Sequence, residues 1–271
     1  MTSGSAMPPR NRYAPLEPPP DDMAPVLDWD AFSEAFVWNQ NQHVGVVGPT
    51  EQGKTNLTYH LLEQRQFIVY LSIKTHDETL DAYAQAGGYE RLYDWPPTVK
   101  RLGRRAREVT PEEMPKRLLW PDARQLDSEL EQERVFGKAL RDIYADGGWC
   151  TVMDDYWYLA NILGFAKTTK KFLANARSNY IPMVICAQRP AGNQLVEMFD
   201  QSTHLFFARD NDERNLKTIS GVGWRSAEPI KAFVANLEPF QFLYINTRSG
   251  VMYRTTAPEL KLRPKREERR R

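Results

Sequence analysis

Short, nearly unbroken apolar runs recur along this chain, at residues 44–47, 67–73, 117–120, 149–153, 182–187, 204–207 and 240–245. Each has the length of a strand and reads as one. Between them the spacing turns helical. Residues 56–66 follow the first run, and residues 167–179 form a basic helical stretch before the run at 182. Residues 127–144 carry Leu130, Val135, Leu140 and Ile143, an amphipathic helix leading into the run at 149. Strands alternating with helices in this manner predict an α/β fold with a mainly parallel sheet flanked by helices. No internal repeat is present.

Three segments depart from this rhythm. Residues 1–28 hold Pro8, Pro9, Pro15, Pro18, Pro19, Pro20 and Pro25 with little to bury, which predicts a flexible arm. Residues 86–115 are poorly periodic, with Pro96, Pro97 and the cations Lys100, Arg101, Arg104, Arg105 and Arg107, and read as an insertion in a domain spanning 29–258. Residues 259–271 end in a mainly positive tail, suited to solubility or to phosphate contacts.

The first strand runs straight into the candidate chemistry. Gly48, Pro49, Thr50, Glu51, Gln52, Gly53, Lys54 and Thr55 fit the phosphate-binding pattern G-x-x-x-x-G-K-[ST], between a strand and a helix as that loop requires. Glycines let successive backbone N–H groups turn toward phosphate, and the helix N-terminus adds partial positive charge. Lys54 would reach the β- and γ-phosphates and the Thr55 hydroxyl would hold Mg²⁺.

Two further strand ends complete a hydrolytic set. The run at 149–153 ends in Asp154 and Asp155. Asp154 would hold Mg²⁺ and Asp155 would polarise the attacking water; two aspartates capping the next helix is the plain alternative. The run at 182–187 ends in Gln188, a candidate γ-phosphate sensor, and Arg177 lies in the basic stretch before it.

Composition narrows the setting. The chain has 271 residues, 41% hydrophobic, enough for one large domain with appendages. A formal net charge of +1 confines any polyanion-binding surface to local patches. The candidates for DNA are Lys167, Lys170 and Lys171, the cluster containing Arg104 and Arg105, and the tail. Cys150 and Cys186 are too few for a secreted disulfide framework, and no apolar stretch reaches the roughly eighteen residues of a membrane span. A cytoplasmic protein, with no membrane insertion, is expected. His43, His60, His76 and His204 lack metal-ligand spacing and read as structural. Trp29 and Trp38 could stack on a base, but a core role suits them better.

The order of these motifs, with Ala176-Arg177-Ser178-Asn179-Tyr180 leading to Ala187-Gln188-Arg189-Pro190, resembles the FtsK/HerA superfamily of P-loop ATPases. Residues 206–214 resemble the strand and helix that follow the sensor in those motors. The resemblance spans roughly residues 43–253. It implies a RecA-like (ASCE) core that binds ATP and Mg²⁺, a homo-oligomeric ring, hexamer or pentamer, and translocation of double-stranded DNA in genome packaging or plasmid transfer. A portal, pore or relaxase would be the docking partner, and Arg177 falls in the region of the subunit-interface arginine. Two positions depart from the family pattern: Ala187 replaces a threonine, and Asp155 stands where a glutamate is usual. A small-molecule or nucleotide kinase with residues 100–107 as its lid, and a structural subunit with little hydrolysis, are the competing readings. A GTPase is disfavoured, because neither D-x-x-G nor [NT]-K-x-D occurs.

Overall fold

The computed structural model describes residues 19–99, 106–125, 127–189, 193–219 and 227–260. In chain order the elements are α1 (Trp29–Ala35), β1 (His43–Val47), α2 (Lys54–Leu62), β2 (Ile68–Leu71), α3 (Glu78–Gly87), β3 (Glu90–Leu92), β4 (Thr98–Val99), β5 (Arg107–Glu108), β6 (Lys116–Leu119) and α4 (Glu129–Asp146). There follow β7 (Cys150–Met153), α5 (Tyr156–Asn161), α6 (Ala166–Asn175), β8 (Met183–Ala187), α7 (Asn193–Gln201), β9 (Ser202–Ala208), α8 (Glu213–Ile219), α9 (Ala227–Ala235), β10 (Gln241–Asn246) and β11 (Met252–Thr256).

The strands expected from the apolar runs all form. They are apolar without alternation because both faces of the sheet are covered. Val44, Val46, Val184 and Cys186 pack on one face with Phe32, Leu57, Leu61 and Leu80 of α1, α2 and α3. Met183, Ile185, Met153 and Leu205 pack on the other, with Val135, Leu140, Phe172 and Met198 of α4, α6 and α7. The order of the nine-stranded sheet is β11-β10-β9-β1-β8-β7-β2-β6-β3. Pairings from β9 to β3 are parallel, and β10 and β11 extend the sheet antiparallel. The strand β8, which ends in Gln188, therefore lies between β1, which runs into the loop at 48–55, and β7, which ends in the aspartates.

The segment read as an insertion contributes β3 to the edge of this sheet, and β4 and β5 pair in a small separate ribbon. Arg117 of β6 ties it down. This buried guanidinium donates to Met114 O (3.0 Å) and Val109 O (3.2 Å) and lies against the rings of Trp95 and Trp149. Residues 24–27, placed by sequence in the N-terminal arm, instead run along β11. Leu27 N–H donates to Arg254 O (2.8 Å) and Arg254 N–H to Pro25 O (2.9 Å), and Ala24 is buried. The pairing segment, Ala24-Pro25-Val26-Leu27, is too short to show a period and follows a proline-rich stretch, so periodicity does not reveal it.

Two histidines are built into the core uncharged. His204 is fully enclosed, with Nδ1 2.9 Å from the Tyr244 hydroxyl and Nε2 2.9 Å from Gln42 Oε1. Since Gln42 Oε1 can only accept, Nε2 carries the proton and Nδ1 accepts from the tyrosine. Burial, with smaller contributions from Arg65 and Arg248, draws its pKa down to about 3. His43 Nδ1 accepts from Met183 N–H, and burial followed by the charge of Arg177 lowers its pKa to about 4. Between those values and the ordinary 6.5, the unfolded chain binds protons that the folded chain excludes, so stability is lost as pH falls below 6.5. Each histidine should contribute a slope of about 1.4 kcal/mol per pH unit. Denaturant unfolding at pH 5 and pH 6 should therefore show His204→Gln with a slope smaller by about that amount than the unsubstituted chain. Equal slopes would refute a neutral, buried His204.

Candidate active site

Gly48 leaves β1 between the ends of its two neighbours. Its N–H donates to Ala187 O of β8 (3.1 Å), and a Cβ on Gly48 would stand 2.4 Å from the Cβ of Ala208 in β9. Only glycine fits there. The loop then turns through left-handed backbone at Glu51 (φ 62°) and Gly53 (φ 81°) and enters α2 at Lys54 with no side chain capping the helix. The first-turn N–H groups and helix dipole thus face the loop, the arrangement that favours an anion. Pro49 and Thr50 form the outer arc, with Thr50 exposed and Gln52 half-buried. The Lys54 ammonium curls back to Gly48 O (2.7 Å) and Pro49 O (2.5 Å). Burial lowers its pKa, opposed by Cys186, Asp154 and Asp155. A phosphate oxygen would supply a stronger, charge-assisted partner at the same place.

Asp154 and Asp155 follow β7 and stand in different surroundings. Asp155 Oδ1 accepts from Tyr158 N–H (3.2 Å), so the residue does cap α5, as the plain alternative holds. Its other oxygen, Oδ2, accepts from Gln188 Nε2 at 3.1 Å. The cap fixes the carboxylate and leaves Oδ2 with Gln188 at the end of β8. Sequence reasoning treated the two residues separately; the strand order makes them a pair. Asp154 is enclosed, its side chain 6% exposed, and Oδ2 has no hydrogen bond among the described residues. Burial raises its pKa, offset chiefly by Lys74. An enclosed carboxylate oxygen with no hydrogen bond, 3.4 Å from the Lys74 ammonium, would suit a hard divalent cation. Thr55 lines a small cavity with Tyr70, and the Tyr70 hydroxyl lies beside Asp154. A bound Mg²⁺ held by Thr55 and Asp154 would supply charge neutralisation to the phosphates.

Lys74 was not foreseen. It follows β2, and its Nζ lies 3.4 Å from Asp154 Oδ2 while bonding Asp77, the residue that caps α3. A lone lysine in a loop after a strand carries no signal of its own; only the adjacency of β2 and β7 brings it to Asp154.

Arg177 lies elsewhere. The helix expected at 167–179 ends at Asn175, and Arg177 sits in a short 3-10 turn, Ala176–Asn179, before β8. It is half-buried and donates to Gln201 O. The strand after it separates it from Gln188 by about 13 Å or more at 3.3 Å per residue. It therefore takes no part in the phosphate edge of its own chain. Trp38 is core: its Nε1–H donates to Gln42 O (2.9 Å) and Arg65 stacks on its ring. Trp29 packs beside Phe32 and His60. Lys167, Lys170 and Lys171 line an open groove of about 670 Å³ with Arg141, Tyr144 and Phe172. Lys170 pairs with Glu197, and Lys171 lies over Tyr144. Arg104 and Arg105 fall outside the described residues, as does the tail from 261. Among the described residues no cluster of His, Cys, Asp and Glu is suited to a structural metal, and no helix is long and apolar enough to cross a membrane. Cys150 and Cys186 are buried free thiols.

Known structures share this fold. The DNA-packaging ATPase B204 from Sulfolobus Turreted Icosahedral Virus superposes with TM-score 0.53 at 14% identity, covering 82% of this chain and 100% of that one. The genome packaging NTPase B204 from Sulfolobus turreted icosahedral virus 2, in complex with ATP-gammaS, gives 0.52 at 15% identity over 82% and 100%. The chain therefore shares the fold of these packaging NTPases, a mostly parallel sheet flanked by helices. The cytoplasmic domain of the type VII secretion ATPase EccC from Thermomonospora curvata also shares it, with TM-score 0.54 at 12% identity over 85% of this chain and 27% of that one. No protein-family model and no curated protein sequence matches the chain.

If Asp155 Oδ2 orients water, Asp155→Asn should keep the cap, since asparagine caps helices as well, and should keep nucleotide binding while hydrolysis falls by orders of magnitude. Measured by phosphate release beside equilibrium nucleotide binding, an unchanged rate would leave Asp155 as a cap alone.

Proposed function

We propose that this protein hydrolyses ATP to move double-stranded DNA, in genome packaging or in plasmid or conjugative transfer. The observation that carries the hydrolytic part is the Asp155–Gln188 contact beside Lys54. A carboxylate and an amide, both aimed at the phosphate edge, form an arrangement for orienting water, whereas transfer to a bound hydroxyl needs an acceptor pocket there. Support for DNA as the cargo is the fold shared with B204, which is described as a DNA-packaging ATPase, together with the groove lined by Arg141, Lys167, Lys170 and Lys171. Contacts of this kind follow phosphate charge and not sequence. We assign ATP and Mg²⁺ to the site, and a homo-oligomeric ring to the assembly, with a portal, pore or relaxase as its dock. In such a ring Arg177 can act only on a neighbour's nucleotide, after release from Gln201 O.

Duplex DNA should stimulate the ATPase, with an apparent affinity that falls linearly on a log–log plot against salt, by about 0.9 in slope for each phosphate neutralised. Replacing Lys167, Lys170 and Lys171 together by alanine should flatten that slope by up to about three such contacts. Steady-state ATPase measurements over a salt series check both. Stimulation by an unfolded polypeptide and not by DNA would assign a protein cargo, and formation of a phosphorylated acceptor would assign a kinase.

A further inference from the structure

Phe240 is anomalous beside the phosphate loop. Its φ of 62° lies in the left-handed region, which strains a large aromatic residue, and its side chain is 56% exposed. Burial therefore offsets little of that strain, and backbone strain of this kind is concentrated at ligand sites. The ring reaches the loop: a Cβ on Gly53 would stand 3.2 Å from Phe240 Cδ1. Because β10 runs antiparallel to β9, Pro239 and Phe240 arrive at the same edge of the sheet as the carboxyl ends of the parallel strands.

A pocket of about 270 Å³ opens beside Pro239, the residue before this ring, with Pro49, Gln52, Arg209, Asp210 and Asn211 completing its lining. Its wall is preset. Asp210 is buried, with its carboxylate taken by Asp212 N–H and Asn215 Nδ2, both at 2.8 Å. Arg209 and Asn211 are exposed and their side chains form no hydrogen bond among the described residues. The direction of a bound nucleotide selects this side. Asp154, Asp155 and Gln188 stand on the β7–β8 side of the loop and would face the terminal phosphate, so the other end leaves toward β9 and β10.

We propose that this pocket receives the purine nucleoside of the bound triphosphate, with Phe240 as its stacking face and the amides of Gln52 and Asn211 as partners for the base or ribose. The proposal rests on the reading of the loop as a nucleoside triphosphate site. An aromatic face suits either purine, and side-chain amides both donate and accept.

The test compares ATP with inorganic tripolyphosphate, each titrated with Mg²⁺ into the full chain and its variants by calorimetry. Phe240→Gly should weaken ATP binding on the order of ten-fold or more and leave tripolyphosphate unchanged. Glycine accepts this backbone, so thermal stability should hold or rise. Phe240→Trp should restore ATP affinity. Asn211→Trp, which fills the pocket from an exposed loop, should weaken ATP and again spare tripolyphosphate. Unchanged ATP affinity in both Phe240→Gly and Asn211→Trp would overturn the proposal while leaving the phosphate loop intact. So would tripolyphosphate binding to the unsubstituted chain as tightly as ATP. Binding of neither compound to that chain would instead remove the phosphate site itself, and this pocket's role with it.

Discussion

The site depends on how tightly β1 is held between β8 and β9 where the chain leaves the sheet. At Gly48 the backbone donates to Ala187 on one side and has no space for a side chain against Ala208 on the other. That squeeze sends the loop out of the sheet at a fixed angle and gives it two unlike flanks. Toward β8 and β7 lie the carboxylates, Gln188 and Lys74; toward β9 and β10 lie an exposed aromatic ring and a preset loop. A triphosphate laid across the edge therefore meets charge at one end and a stacking surface at the other.

Charge at this edge is only partly compensated. The Lys54 ammonium rests on carbonyl oxygens of its own loop, and the enclosed Asp154 oxygen pairs with Lys74 at 3.4 Å, beside the Tyr70 hydroxyl. Both are costly when dry, and both would gain partners from phosphate and a divalent cation. Asp155 is held from two sides: Tyr158 N–H caps one oxygen, and Gln188 extends from the next strand to meet the other.

Much of this was legible in the sequence, for definite reasons. Strands buried on both faces read as unbroken apolar runs, and the P-loop pattern ties one of them to phosphate. The edge strand β3, Glu90–Leu92, has two exposed polar residues and no such signature, and β11 with its Tyr253-Arg254-Thr255 stretch is no clearer. Strand order is the larger loss, because it arises from crossover packing and not from any local pattern. Lys74 beside Asp154, Gln188 against Asp155 and Phe240 against Gly53 are all consequences of order.

The most direct measurement is phosphate release from ATP by the unsubstituted chain and by Lys54→Ala, with nucleotide binding followed in parallel. The account predicts turnover in the first, and in the second weakened binding with turnover lost, because the triphosphate oxygens lose their one charged partner in the loop. Equal turnover by the two proteins, in preparations free of other ATPases, would contradict the assignment of this edge as a site of ATP hydrolysis.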